Sequence, residues 1–241
     1  DRSPHIAVVT NIAPNHLDVH RSMGEYISAK ENILLHQGPG DRVVLNADNQ
    51  ITRAFLATAR GESLLFSRRE EPKGQAVFLR EGAIWLRRDG EERQVMPVKD
   101  ILLPGDHNVE NYMAAIGAVD GLVPDEVIRT FAAQFSGVEH RIELVRELNG
   151  VHYYNDSIAS SPTRTIAGLK CFPEKVILIA GGYDKHIPFD DLGPAITEHV
   201  KRLILTGDTA PKIRSAVEVA PDYGPDAPVI EEYHDFKDAV L

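Results

Sequence analysis

"DRVVLNADNQITRAFLATARGESLLFS", residues 41–67, is the stretch on which the reading of the fold turns. It opens with an apolar run of strand length and a turn. "QITRAFLATA" then has helical spacing, and a second strand-length run, "ESLLFS", follows. Strand, helix, strand at this spacing is a βαβ unit, and such units build a parallel sheet.

Upstream, "IAVVT" (6–10) is a continuous apolar run, which suggests a strand buried on both faces. The loop "NIAPNHLDVH" follows. Ser22 with Glu25 three residues on has the form of a capping box for a helix striped by Met23, Tyr26, Ile27, Ile33 and Leu34. Gly38-Pro39-Gly40 ends that helix. Downstream, "AVFLREGAIWLRRDGEERQVMPV" (76–98) turns to short alternating strands, with Glu81-Gly82 and Asp89-Gly90 as turns, an antiparallel meander. Helices are expected from near Asn108, with Asp106 or His107 as cap, and over "PDEVIRTFAAQF" with Pro124 in the first turn.

After "SGVEHR" the rhythm restarts. "IELVRELNGVHYYND" reads as a hairpin across Asn149-Gly150, and a helix begins near Pro162. "KVILIAGG" reads as a buried strand, followed by helix, strand, helix and strand through "PVIEEY". The expected organisation is therefore α/β in two parts. Residues 1–138 form a parallel sheet with a small antiparallel meander, and 139–241 a Rossmann-like domain, with no single sheet running through both.

Composition bounds the function. Of 241 residues, 43% are hydrophobic and 26% charged, which is the balance of a globular protein with a proper core. Net charge is -10 with both signs interspersed, which argues against the basic stripe of a nucleic-acid surface. The single cysteine, Cys171, cannot form an internal disulfide and fits a reducing compartment. No apolar run approaches the ~20 residues of a membrane span, so a cytoplasmic protein is expected. The chain begins without Met, already close to a strand, and stops within an expected helix, so we expect a piece of a longer protein.

Several constellations carry chemistry. His16 and His20 have the i, i+4 spacing of a zinc pair, but Leu17 stands where a zinc protease needs Glu. The loop follows a buried parallel strand, where open α/β sheets place ligands, and a His with an oxygen ligand suits Mg²⁺ beside a phosphate. A polar loop with a capping Asp18 is the plainer alternative, and a metal-dependent hydrolase on His16, Asp18 and His20 a third. Lys30 is either a snorkelling lysine or, if buried, an amine able to meet an electrophile. Asn108 and Asn111, at i, i+3, could clamp a heterocycle or phosphate oxygen, or cap their own helix. Asp156, Ser157, Ser160, Ser161 and Thr163 precede a helix and form either an N-cap cluster or an anion site, with Arg141 a source of charge. "ILIAGGYDKH" puts Lys185 after a strand and two glycines; it lacks the third glycine of a dinucleotide fingerprint. A catalytically silent nucleotide-binding module remains another possibility.

"TNIAPNHLDVH", "SMGEYISAKENI", "LPGDHNVENYMAA", "GVEHRIELV", "YYNDSIASSPTRTIAGL" and "ILIAGGYDKHIPFDDLG" occur in this order across nearly the whole chain. Together they resemble the Mur ligases, the ATP-dependent amide ligases of peptidoglycan synthesis. "NDSIASSPTRT" and "GGYDKHIPF" look like the D-glutamate-adding branch rather than its sister ligases or folylpolyglutamate synthetase. The resemblance implies a central ATPase domain followed by a Rossmann-like ligase domain. It implies a cytoplasmic, monomeric enzyme that joins D-glutamate to UDP-N-acetylmuramoyl-L-alanine through an acyl phosphate. It further implies Mg²⁺ held by His16 and by Lys30 as a CO₂-derived carbamate, with Arg141 beside the transferring phosphoryl group. ATP would meet Asn108, Asn111, Arg141 and Asp156; D-glutamate would meet Ser160 and Lys185. His107, Ser157 and Asp184 would stand behind these. No G-x-x-x-x-G-K-[ST] loop is present; in the family that loop and the UDP-binding domain precede the point matching Asp1, and a segment completing the amino-acid pocket follows Leu241. The chain by itself is expected to be inactive. Ile158 stands where well-known members carry lysine, so that contact does not transfer.

Overall fold

A computed structural model describes residues 2–13 and 22–240. The chain divides into two compact units, one ending at Ser136 and the other taking up the chain from Gly137.

The first unit is built on β1 (Ile6–Val9), β2 (Arg42–Asn46), β3 (Glu62–Ser67), β4 (Ala76–Arg80), β5 (Ala83–Arg88) and β6 (Glu91–Pro97). They form one six-stranded sheet in chain order. β1 to β4 pair in parallel, and β4, β5 and β6 pair antiparallel. The expected meander is therefore continuous with the parallel sheet, because β4 registers on β3 through Leu65–Ala76, Phe66–Val77 and Ser67–Phe78. Its two tight turns have both central residues at positive φ, Glu81-Gly82 at 50° and 73° and Asp89-Gly90 at 52° and 85°. That geometry matches the twist of an antiparallel ribbon.

Helices α1 (Met23–Glu31), α2 (Gln50–Ala54), α3 (Asp106–Val119) and α4 (Asp125–Gln134) complete the unit. Burial on both faces explains the apolar runs. Ala7, Val9, Val43 and Leu45 pack with Tyr26, Leu34 and Phe55 on one side. Val44, Leu64, Phe66 and Val77 pack with Met113 and Ile116 of α3 on the other. Gly117 lets α3 sit close, since a Cβ there would lie 2.8 Å from Leu64 and 3.0 Å from Val44. Arg42 ties off the far end of α3 by donating to the carbonyls of Gly117 and Asp120. α1 starts as its sequence suggests, with Ser22 Oγ accepting from the Glu25 N–H at 3.2 Å.

The second unit opens with the hairpin β7 (Glu143–Leu148) and β8 (Val151–Asn155), turning at Asn149 and Gly150. It continues with α5 (Pro162–Leu169), β9 (Val176–Gly181), α6 (Leu192–His199), β10 (Val200–Thr206), α7 (Ala210–Glu218), β11 (Val229–Glu232) and α8 (Phe236–Val240). β11, β10 and β9 form a parallel sheet in that order. Its core joins Leu203 and Leu205 to Leu169, Ile196, Ile213 and Val217 of α5, α6 and α7.

"KVILIAGG" departs from its reading as a buried strand. Among the described residues β9 stands at the end of this sheet and sends Val176, Leu178 and Ala180 to the core, whereas Ile177 and Ile179 are 55% and 37% exposed. An alternation of burial along a run that is apolar at every position leaves no mark on the sequence.

Candidate functional site

The carboxyl ends of β1, β2 and β3 carry a polar cluster. Asn46 donates to Asn11 Oδ1 at 3.2 Å, Asn49 donates to the Ile12 carbonyl, and Ser67 Oγ donates to Asp48 Oδ1 at 2.6 Å. Open α/β sheets place ligands at this edge. Sequence reading missed these residues because Asn and Asp after a strand are also what any turn requires. The loop carrying His16, Asp18 and His20 lies outside the described residues, so the metal reading of that loop is not addressed by geometry. Among the described residues no group of three or more His, Cys, Asp or Glu is placed to hold a metal ion.

Lys30 sits in the last turn of α1, exposed, with its ammonium 5.5 Å from the centre of the Tyr26 ring.

The start of α3 differs from expectation. Gly105, at φ 96°, is the N-cap, and Asp106 and His107 are already helical. Asn108 is buried, and its amide donates to the Pro104 carbonyl at 2.7 Å while its Oδ1 accepts from Asn111 at 3.4 Å. The Asn108 amide thus holds the turn, and Asn111 stands exposed one helical turn on. Arg68 lies beside this end, paired with Asp106 at 3.0 Å and Glu110 at 3.4 Å.

In the second unit Arg141 is flanked by two non-glycine residues at positive φ, His140 at 65° and Ile142 at 46°. For β-branched Ile142 that conformation is strained, and strain of this kind persists where the surroundings over-determine it. Two contacts do so: the Ile142 N–H donates to Asp156 Oδ1 at 3.2 Å, and Asn155 Nδ2 meets His140 Nδ1 at 2.8 Å. Burial pushes the Asp156 carboxyl up, and the Ile142 N–H and the charges of Arg141 and Arg164 only partly oppose it. Gly168 of α5 presses close to it, since a Cβ there would lie 2.9 Å from Asp156 Oδ2.

Ser161 takes the N-cap position of α5 with Pro162 at the first turn. Its neighbour Ser160 is exposed and accepts a hydrogen bond from Lys185 Nζ at 3.0 Å. The two residues named for one amino-acid substrate are thus in contact, although 25 residues separate them. An ammonium beside a hydroxyl, both reachable from solvent, can take a carboxylate through a charge-assisted hydrogen bond. The residue before Lys185 is also committed: Asp184 Oδ2 accepts from Lys212 Nζ at 2.5 Å and Oδ1 from the His186 N–H at 2.8 Å. Lys212, within "TAPKIRSAVEV" on α7, gave no signal in sequence, because a single lysine on a helix most often faces water.

Comparison with known proteins gives these sites a context. Residues 2–119 match the Mur ligase middle domain, and residues 140–241 match the Mur ligase glutamate ligase domain. UDP-N-acetylmuramoylalanine–D-glutamate ligase of Acetivibrio thermocellus is 58% identical over 217 residues, 90% of this chain and 46% of that protein. The enzyme of the same name from Symbiobacterium thermophilum is 52% identical over 227 residues, 93% of this chain and 50% of its own length. The chain thus spans about half the length of the curated relatives it matches. Among solved structures, MurF from Acinetobacter baumannii superposes with a TM-score of 0.73 at 20% identity, over 99% of this chain and 52% of that one. Folylpolyglutamate synthase of Mycobacterium tuberculosis, complexed with ADP and AMPPCP, gives 0.65 at 18% identity, over 98% and 55%. These two share the fold. With two successive domains of one family matched along most of its length, the chain belongs to the Mur ligase family.

Proposed function

We propose that the protein is an ATP-dependent ligase of cytoplasmic peptidoglycan synthesis, joining D-glutamate to UDP-N-acetylmuramoyl-L-alanine. The observation that carries this reading is the contact of Lys185 with Ser160, a cation and a hydroxyl presented together on the strand-end loop of the second unit. The name shared by relatives at 52–58% identity supports the same substrate.

In this reading the alanine carboxylate attacks the γ-phosphoryl group of ATP, giving an acyl phosphate and ADP. The amine of D-glutamate, once neutral, attacks the acyl carbon, and inorganic phosphate leaves with the bonding electron pair as the amide forms. Two anions meet in the first step, so positive charge at the phosphoryl group is the main requirement. Arg141, fixed by its strained flanks, supplies part of that charge, with Asp156 and Asn111 orienting the nucleotide. Asn108 contributes by holding the turn that presents Asn111. Mg²⁺, when bound, would neutralise phosphate charge, with His16 and the carbamate of Lys30 as its ligands. Ser160 and Lys185 hold the D-glutamate carboxylates and so aim the amine.

The test is phosphate release by the full-length protein. We expect release that requires ATP, the UDP-sugar and D-glutamate together. Equal release with D-alanine or a diamino acid in place of D-glutamate would overturn the assignment.

A further inference from the structure

The loop after β9 is fastened to the turn after β10 at several points. The Gly182 N–H donates to the Thr206 carbonyl at 3.1 Å, and the Gly182 carbonyl accepts from the Thr209 N–H at 3.1 Å and Thr209 Oγ1 at 3.3 Å. The two turns lie so close that a Cβ on Gly207 would stand 2.8 Å from Gly182 N, and one on Gly181 would overlap the Thr206 carbonyl. This fixes the backbone up to Gly182. Two residues later Asp184 closes a turn of its own, its Oδ1 accepting from the His186 N–H, with His186 at φ 55°. Lys185 is the middle residue of that turn, so its direction follows the Asp184 carboxylate. The remaining oxygen of that carboxylate is held by Lys212 Nζ at 2.5 Å.

We propose that Lys212 is a positioning residue for amino-acid recognition, acting through Asp184 to keep Lys185 on Ser160. The inference rests on the D-glutamate reading given above. Two physical effects combine. Lys212 pins the Asp184 side chain, and with it the turn whose centre is Lys185. It also occupies a carboxylate that adjoins Lys185 in sequence and would otherwise compete with a substrate carboxylate for its ammonium. Hydrogen bonding from Lys212, then from the His186 N–H, holds the Asp184 carboxyl below its ordinary value, so it is ionised throughout the working range. An isolated surface pair would matter little to stability; here the pair acts on the aim of a third group.

The test uses steady-state kinetics of the full-length protein. Lys212→Met is expected to raise the KM for D-glutamate about fivefold, the equivalent of ~1 kcal/mol, with kcat within about twofold and the KM for ATP unchanged. Lys212→Arg, which keeps a donor for Asp184, should recover most of the loss. Asp184→Asn combined with Lys212→Met should be no worse than Asp184→Asn alone, because both act along one path. An unchanged D-glutamate KM, an equal shift in the ATP KM, or additive losses in the double variant would each overturn the role. Lys185→Ala in the same series separates the two readings. If it raises the D-glutamate KM and Lys212→Met does not, the positioning role alone falls; if Lys185→Ala leaves that KM unchanged, the underlying assignment falls and the positioning role with it.

Discussion

Two aspartates, one in each unit, are withdrawn from water and are shifted in opposite directions. Asp120, at the end of α3, is 5% exposed and bracketed by Arg93 on Oδ1 and Arg88 on Oδ2, both at 2.7 Å. Burial pushes its carboxyl up, but the two arginine hydrogen bonds outweigh burial and hold it below the ordinary value. Asp156 is half-buried and accepts from one backbone N–H, and there burial wins. The first is a finished structural joint. The second is a carboxylate whose burial is only partly offset by the Ile142 N–H and by the charges of Arg141 and Arg164.

The largest effect that would break this contrast is at Asp120. Asn in its place leaves Arg88 and Arg93 facing a neutral amide. Removing one partner of a fully buried ion pair costs ~3–5 kcal/mol; both arginines are partly exposed and can rehydrate, so we expect about 2–3 kcal/mol. Urea unfolding followed by Trp85, the single tryptophan and a residue of β5 in the same unit, measures it. The folded-state carboxyl lies below its unfolded value, so its contribution is full at neutral pH and is lost as pH falls through the folded value. The gap between wild type and Asp120→Asn should therefore close in acid, below about pH 4. A gap that is absent at pH 7 would mean the arginine bracket is ornamental.

The contrast extends to cations. Arg88 and Arg93 face carboxylates, whereas Lys185 is held by the hydroxyl of Ser160 and keeps capacity for an incoming anion. A charged hydrogen bond of this type is worth roughly 1.5–3 kcal/mol. Lys185→Ala in the full-length protein should therefore raise the KM for D-glutamate at least about tenfold, since 1.4 kcal/mol is a factor of ten. The KM for ATP should move much less. Equal movement of both would place Lys185 at the phosphates.

What the sequence made legible was local. Asn149-Gly150 announced its hairpin because only residues tolerant of positive φ fit that turn, and they stand at 52° and 79°. The run "VVL" announced a strand, and Val43, Val44 and Leu45 are fully buried in it. The order of Ser160 and Lys185 along the chain, read through the family resemblance, also named a pair that proves to be in contact. What stayed hidden depends on distant partners. The fusion of meander and parallel sheet is set by β3 against β4, the exposure of Ile177 and Ile179 by which face the helices cover, and the use of Lys212 by an aspartate 28 residues away. The hydrogen bond of the Asn108 amide to the Pro104 carbonyl was hidden for the same reason, since it depends on the positive-φ turn at Gly105.

The smallest effect, and the sharpest on the comparison, is at Asp156. Its folded-state carboxyl lies above the unfolded value, so the sign is the reverse of that at Asp120. The native state is favoured by protonation, and stability is lost as pH rises from the unfolded value through the folded one. Asp156→Asn keeps the shape and can still accept the Ile142 N–H through its amide oxygen, while removing the charge that burial penalises. At neutral pH the variant should be slightly more stable than wild type, by under about 1 kcal/mol because partial exposure screens the effect. The advantage should vanish below about pH 4, where both side chains are neutral. Trp85 lies in the first unit and Asp156 in the second. The readout is hydrogen exchange of the amides of β8 and α5, which flank Asp156 in the chain. In the full-length protein the same variant should lose activity, because a carboxylate kept at a cost to the fold is kept for what it holds. A variant that is less stable at neutral pH and fully active would make Asp156 a structural acceptor for Ile142, no different in kind from Asp120.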